Sequence, residues 1–318
     1  METKLILAKD INIAKWDELV EESKQGQIYH LFHYIDTLCS GSWQAVVLEN
    51  QDKYLGAFPF FLKKKMGLRY FIHPPFCQYW GVMLRNEKVG HQKYYDESKK
   101  LLKLILEAIP VNIKYMLAYF SPYLDYPLPL EWAGWSLSPN YTYQVKLDRN
   151  LDTILASFAS HTRREIKKAD KNEIKVVKEK GADTAMTIFR NEKPHLVNSK
   201  NDQYLVNLNK VVHTLGVDRA FSLNAMCDKE AVASIVYFKY KKMLIYFFGT
   251  VKATHKNSGA MSAIIWESIK MHHEVCNILD FDGSMIEDIE RYFRGFDAEP
   301  VMYLQAEKSF LPRWIRLS

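Results

Sequence analysis

The sequence predicts an α/β protein made of two similar domains in tandem, and three observations predict it. The chain has 318 residues, more than one hydrophobic core usually serves. Its two halves repeat one order of elements at an offset of roughly 165 residues: a helical start, strands joined by tight polar turns, an amphipathic helix, and a strand. The stretch from Leu244 to Phe296 then switches from an apolar run to a helical period, twice. Met261, Ile264, Ile265 and Ile269 share one helix face, and Ile286, Ile289, Phe293 and Phe296 another. That is a strand–helix–strand–helix unit, half of an α/β layer.

In chain order, Ile11 to Ser23 carries Ile13, Trp16, Leu19 and Val20 at helical spacing, and Gln25-Gly26-Gln27 stops it. A short helix is expected over Phe32 to Leu38. Strands follow at Trp43–Glu49, Tyr54–Lys63, Arg69–Ile72 and Trp80–Leu84. Two prolines keep the aromatic loop His73 to Tyr79 out of any central strand. Tyr95 to Ile109 reads as a helix ended by Pro110, and Tyr115–Phe120 as a strand. Trp132–Trp135 and Tyr141–Leu147 read as extended, which sets the expected domains at 1–145 and 146–318. A helix begins at Leu151 and turns basic through Lys171; helices at Ala182–Glu192 and Gln203–Thr214 come next. Strands at Ala220–Cys227, Ala231–Tyr240 and Leu244–Thr250 lead into the strand–helix unit, and Val301–Ala306 closes the chain.

Composition narrows the class. Hydrophobic residues at 48% and charged residues at 25% describe an ordinary globular protein with a sizeable core. A net charge of +6 favours anionic over cationic partners. Cys39, Cys77, Cys227 and Cys276 form no CxxC pair, so neither a zinc knot nor a disulfide framework is expected. No run reaches membrane-spanning length and the start carries no secretory signal, so a cytoplasmic protein without membrane insertion is expected. Serine-hydrolase, P-loop and dinucleotide fingerprints do not occur, and no metal cluster is expected from the histidines.

The corner Lys256-Asn257-Ser258-Gly259 opens a helix. It has two readings: an anion seat at a helix N-terminus, or an ordinary cap. Asp280 and Asp282 flank Phe281 at a strand end, where a carboxylate can orient an amine or take its proton; Ser284 reads as a cap. Arg163, Arg164, Lys167 and Lys168 form a basic helix face suited to phosphates or simply to solvent.

The order Arg163-Arg164-x-Ile-Lys-Lys-Ala169, Leu244–Gly249, Ser258-Gly259, Asp280-Phe-Asp-Gly-Ser284 and Tyr292-Phe-Arg-Gly-Phe296 resembles the acyltransferases of the GNAT superfamily. The resemblance is to the branch with two tandem GNAT domains that holds the FemAB-type peptidyltransferases and the BioF2-like acetyltransferase domain. It implies mixed, mostly antiparallel sheets flanked by helices, and transfer of an acyl group to an amine lying between the two domains. It implies acyl-CoA, acetyl-CoA first, as cosubstrate with no tightly bound cofactor. An aminoacyl-tRNA donor acting on a cell-wall precursor is the alternative, and a non-catalytic binding protein a third reading. The resemblance assigns Tyr292 to protonate the leaving thiolate and Arg294 to clamp the carbonyl, and Asp282 is the strand-end carboxylate that would serve the amine or cap the next helix. The donor seat falls on Thr250, Val251, Lys256, Asn257, Ser258 and Gly259, and substrate contacts on Arg163, Arg164, Phe76, Tyr79 and Phe293. The chain departs from the family's phosphate signature at Met261, where a small residue is usual.

Overall fold

The computed structural model describes residues 1–86, 90–197 and 199–311, with the backbone alone at 199–201. The chain forms two compact units, one of Met1–Asn140 with the chain from Met302 on, the other of Tyr141–Val301. It passes from the first to the second along one long strand and returns along another.

Unit 1 runs β1 (Glu2–Leu7), α1 (Ile13–Glu22), α2 (Phe32–Cys39), β2 (Gln44–Asn50), β3 (Lys53–Phe60), β4 (Leu62–Lys65), β5 (Leu68–Ile72), β6 (Met83–Leu84), α3 (His91–Glu107), β7 (Ile113–Tyr119) and α4 (Leu128–Trp132). β1, β2, β3 and β6 form an antiparallel sheet in that order. β5 pairs with β4 on one side and, in parallel, with β7 on the other. Phe58, Phe60, Phe71, Leu102, Ile105, Met116 and Phe120 fill the core, which α3 covers with Leu101, Leu102 and Ile105.

Unit 2 holds the end of β8 (Ser136–Lys146), α5 (Leu151–Ser157), α6 (Ser160–Lys171), β9 (Lys175–Glu179), α7 (Asp183–Glu192), α8 (Ser199–Leu215), β10 (Ala220–Cys227), β11 (Glu230–Tyr240), β12 (Met243–Val251), α9 (Ala260–His272), β13 (Ile278–Asp280), α10 (Glu287–Arg294) and the start of β14 (Glu299–Ser309). Its strands lie in the order β8-β13-β12-β11-β10-β9. β12 and β13 pair in parallel, because α9 carries the chain back between them. Ile264, Ile265 and Ile269 of α9 are buried against Tyr237, Leu244 and Leu279 of the sheet.

Several expectations are corrected. The helix expected from Leu151 through Lys171 is two helices, because Phe158 and the residue before α6 are extended. Phe158 turns inward to meet Phe296 and Trp266 at 5.3 and 5.7 Å. Trp132 ends a helix rather than opening a strand; Pro129 stands in its first turn, where no N–H donor is needed. The strand expected over Trp80–Leu84 shrinks to Met83–Leu84. β1 and β9 were not foreseen: each pairs on a sheet edge, and the interleaved charges of Lys-Val-Val-Lys-Glu hide its period.

One glycine fixes how α6 lies on α9. Gly259 has φ +84°, and a Cβ there would sit 2.2 Å from the Glu165 carbonyl oxygen. Helix backbone cannot yield as a flexible side chain can. Gly259→Ala is therefore expected to cost about 2 kcal/mol or more, read by urea unfolding; a loss within experimental scatter would contradict this packing.

Candidate active site

β12 and β13 pair from Met243↔Ile278 to Ile245↔Asp280 and no further. Beyond that point β13 ends in a turn with left-handed residues at Asp282 (φ 58°) and Gly283 (φ 86°), while β12 runs on to Val251 beside β11. The β11–β12 register slips between Val236↔Phe248 and Tyr237↔Tyr246, so Phe247 is one extra residue, a bulge. The parting strands leave a wedge-shaped cavity of about 390 Å³. Tyr246, Phe247 and Gly249 line it from β12, and Phe281, Asp282, Gly283 and Ser284 from the end of β13. Met261 of α9 and Asp288, Ile289, Tyr292 and Phe293 of α10 complete it.

Three local devices hold the wedge. The Asp280 carboxylate accepts hydrogen bonds from Thr142 Oγ1, from Gln144 Nε2 at 2.7 Å and from the Asp282 backbone N–H at 2.8 Å, tying β8 to the turn. Burial raises its pKa, against the pull of these donors. Gly249 leaves room for a neighbour on its own strand: a Cβ there would lie 1.9 Å from the Tyr246 hydroxyl. Phe281 and Phe293 stack at 4.2 Å with an interplanar angle of 14°, joining the turn to α10.

Tyr292 reaches the wedge from α10, its hydroxyl 3.2 Å from Ser262 Oγ on α9. Burial pushes the Tyr292 and Tyr246 phenols well above their ordinary range. Both stay protonated at neutral pH, so each is a hydrogen-bond donor there.

The wedge gathers Tyr292, Asp282 and Phe293 of the residues singled out in the sequence. Ser284 also lines it, as a cap residue, and the other candidate residues lie outside its lining. Arg294 is exposed and donates to Glu290 at 2.9 Å. Arg163 donates to the Ala156 and Phe158 carbonyls at 2.6 and 2.8 Å, satisfying the end of α5, and Arg164 faces solvent. Thr250 and Val251 sit farther along β12, opposite Ser234 and Ala233. Lys256 and Asn257 are exposed before α9; Ser258 Oγ donates to the His255 carbonyl and accepts from the Ala260 N–H. Asn172 of the α6 C-cap donates to the Ser258 carbonyl at 3.1 Å, so the corner is packed under α6. Ser284 accepts from the Ile286 N–H at 3.1 Å, just before α10. Phe76 (φ 61°) and Tyr79 belong to unit 1: the Tyr34 hydroxyl donates to the Phe76 carbonyl, and Tyr79 packs on Tyr29 and Tyr303.

Sequence reasoning gave no site role to Tyr246, Ser262 or Asp288, and reached Gly249 only as part of the strand end. The Tyr-x-x-Gly spacing on a buried strand, and a serine in an otherwise apolar helix stripe, were the available signals. Among the described residues no cluster of metal-binding side chains occurs.

No family model matches the chain, and no curated protein matches it in sequence. Solved structures do match. FemX aligns at TM-score 0.66 and 12% identity, covering 96% of this chain and 97% of its own. A tandem GNAT protein from the clavulanic acid biosynthesis pathway aligns at 0.57 and 11%, covering 98% and 99%. L-PGS from Bacillus licheniformis aligns at 0.57 and 9%, covering 95% and 93%. The fold is thus the tandem GNAT, FemAB-like α/β fold, as the sequence resemblance implied.

The raised pKa of Asp280 makes a signed prediction. Its folded state holds the proton more tightly than the unfolded chain does, so its contribution to stability is present below the unfolded value and is lost as pH rises through the folded one. The stability difference between wild type and Asp280→Asn should fall with rising pH in that window, by at most about 1.4 kcal/mol per unit. Unfolding titrations from acid to neutral pH measure it; a pH-independent difference would contradict the buried carboxyl.

Proposed function

We propose that the protein is an N-acyltransferase that moves an acyl group from acyl-CoA, acetyl-CoA first, to an amine, with the chemistry in the wedge of unit 2. One observation carries this reading. The wedge is lined by the aromatic rings of Tyr246, Phe247, Phe281, Tyr292 and Phe293 and by two carboxylates, Asp282 and Asp288, with no lysine or arginine among its lining residues. Aromatic faces and carboxylates attract an ammonium group and repel a phosphate. The wedge suits an amine and a neutral acyl carbonyl. The donor's phosphates belong outside it, where Lys256 and Asn257 are exposed before α9 and Arg164, Lys167 and Lys168 on α6.

The roles follow. Asp282 accepts a proton from the ammonium group, freeing the lone pair that attacks the thioester carbonyl. The β12 backbone along the wedge supplies hydrogen bonds to the oxyanion as the C–N bond forms. The tetrahedral intermediate then collapses: the C–S bond breaks, the Tyr292 hydroxyl gives its proton to the thiolate, and the extra proton on the attacking nitrogen passes to the Tyr292 oxygen, leaving the neutral amide. Ser262 holds that hydroxyl in place from α9. Arg294, turned to solvent and paired with Glu290, is given no role in the transfer.

A second reading keeps the wedge and changes the donor. The exposed row Arg164, Lys167, Lys168 and Lys171 on α6 suits a longer run of phosphates, as in an aminoacyl-tRNA.

The test is free-thiol release from acyl-CoAs in the presence of a panel of primary amines, with product mass as the second readout. Saturable release is expected, with Tyr292→Phe lowering kcat about a hundredfold and Asp282→Asn moving the pH profile to more alkaline values. Release from none of the acyl-CoAs, with product from aminoacyl-tRNA, would favour the second donor. Product from neither would overturn the enzyme reading.

A further inference from the structure

A face of unit 1 remote in sequence from the wedge combines lysines with exposed apolar side chains. α3, α4 and the end of β14 enclose a groove of about 510 Å³ whose lining includes Lys99, Lys103, Lys308, Leu106, Pro129 and Trp132. Lys99 Nζ lies 4.8 Å from the Trp132 ring centre. Lys308 Nζ donates to the Ala133 carbonyl at 2.6 Å and stands 5.2 Å from the Phe310 ring. Glu107 is the groove's own counter-charge, 3.7 Å from Lys103, but both side chains are largely exposed and the pair is weak. At the rim Leu128 is 42%, Trp132 59% and Phe310 55% exposed. Leu128 and Trp132 are four residues apart on α4, so they project from one side of it.

We infer that this face docks on an anionic lipid bilayer, with lipid phosphates at Lys99, Lys103 and Lys308 and with Leu128, Trp132 and Phe310 entering the headgroup layer. Lysine stems lie along apolar surface while their ammonium groups reach for charge, and an indole is at home at the boundary between water and lipid. The aliphatic groove wall of Leu106 and Pro129 accepts the glycerol end of a headgroup. No helix among the described residues is long and apolar enough to cross a membrane, so the contact is peripheral.

Charge and rings together also fit single-stranded nucleic acid, but the geometry favours lipid. Base stacking needs open, parallel ring faces. Here Tyr95 meets Tyr126 at 47°, Tyr126 meets Trp132 at 81°, and a face of Trp132 is covered by Lys99.

The test is co-sedimentation of the full chain with vesicles of phosphatidylcholine, with and without phosphatidylglycerol. Binding is expected to the anionic vesicles only and to weaken with salt. Lys99→Glu with Lys103→Glu should lower the partition coefficient about fivefold or more per lysine, and Trp132→Ala or Leu128→Ser should lower it severalfold. These side chains are exposed, so an unchanged melting temperature verifies each variant. Equal binding to neutral vesicles, no binding to either, or variants that bind as wild type would overturn the proposal. So would an oligonucleotide complex lost in Trp132→Ala without any vesicle binding.

Discussion

Parallel pairing between β12 and β13 stops after three residue pairs, and the architecture of unit 2 depends on that early parting. Two neighbouring strands that separate expose backbone and side chains at the middle of a sheet, and something must stop them closing or filling with water. Here the Asp280 carboxylate pins the turn to β8, the Phe281–Phe293 stack pins it to α10, and the bulge at Phe247 bends β12 away. Gly249 then lets the Tyr246 ring fold back over its own strand. Each is a local solution, and together they leave an aromatic-walled opening.

The electrostatics of that opening decide its use more than its shape does. The Tyr246 and Tyr292 phenols, held protonated by burial, offer hydrogen-bond donors at its lining. The carboxylates of Asp282 and Asp288 add negative charge where an amine would approach. No lysine or arginine is among the wedge's lining residues, whereas Arg164, Lys167 and Lys168 of α6 and Lys256 before α9 are exposed to solvent. This division separates a lining suited to a cation from surfaces suited to an anion.

Much of the fold was legible because burial writes a period into the chain. β10 was read at its true bounds, and β11 and β12 within a residue or so, since each carries a mostly apolar run. β1 and β9 escaped because edge strands face water on more sides, and α4 because its proline marks a helix start as readily as a turn. At the site, Tyr292, Asp282 and Phe293 were readable as a short motif, whereas Arg163 and Arg294 were singled out by the resemblance and by their charge. Charge in a sequence does not say which way a side chain turns: Arg163 caps a helix and Arg294 pairs along its own. Gly249 and Ser262 matter through neighbours distant in sequence or folded back in space, contacts that a linear pattern does not carry.

The central claim is that an acyl donor places its carbonyl against the β12 side of the wedge. Amide hydrogen exchange with and without a non-hydrolysable acetyl-CoA analogue measures this directly, peptide by peptide. The account predicts slowed exchange in the segment from Leu244 to Val251 and at the start of α9, with Phe281–Ser284 following when an amine is added. Saturable binding that protects neither segment would contradict it.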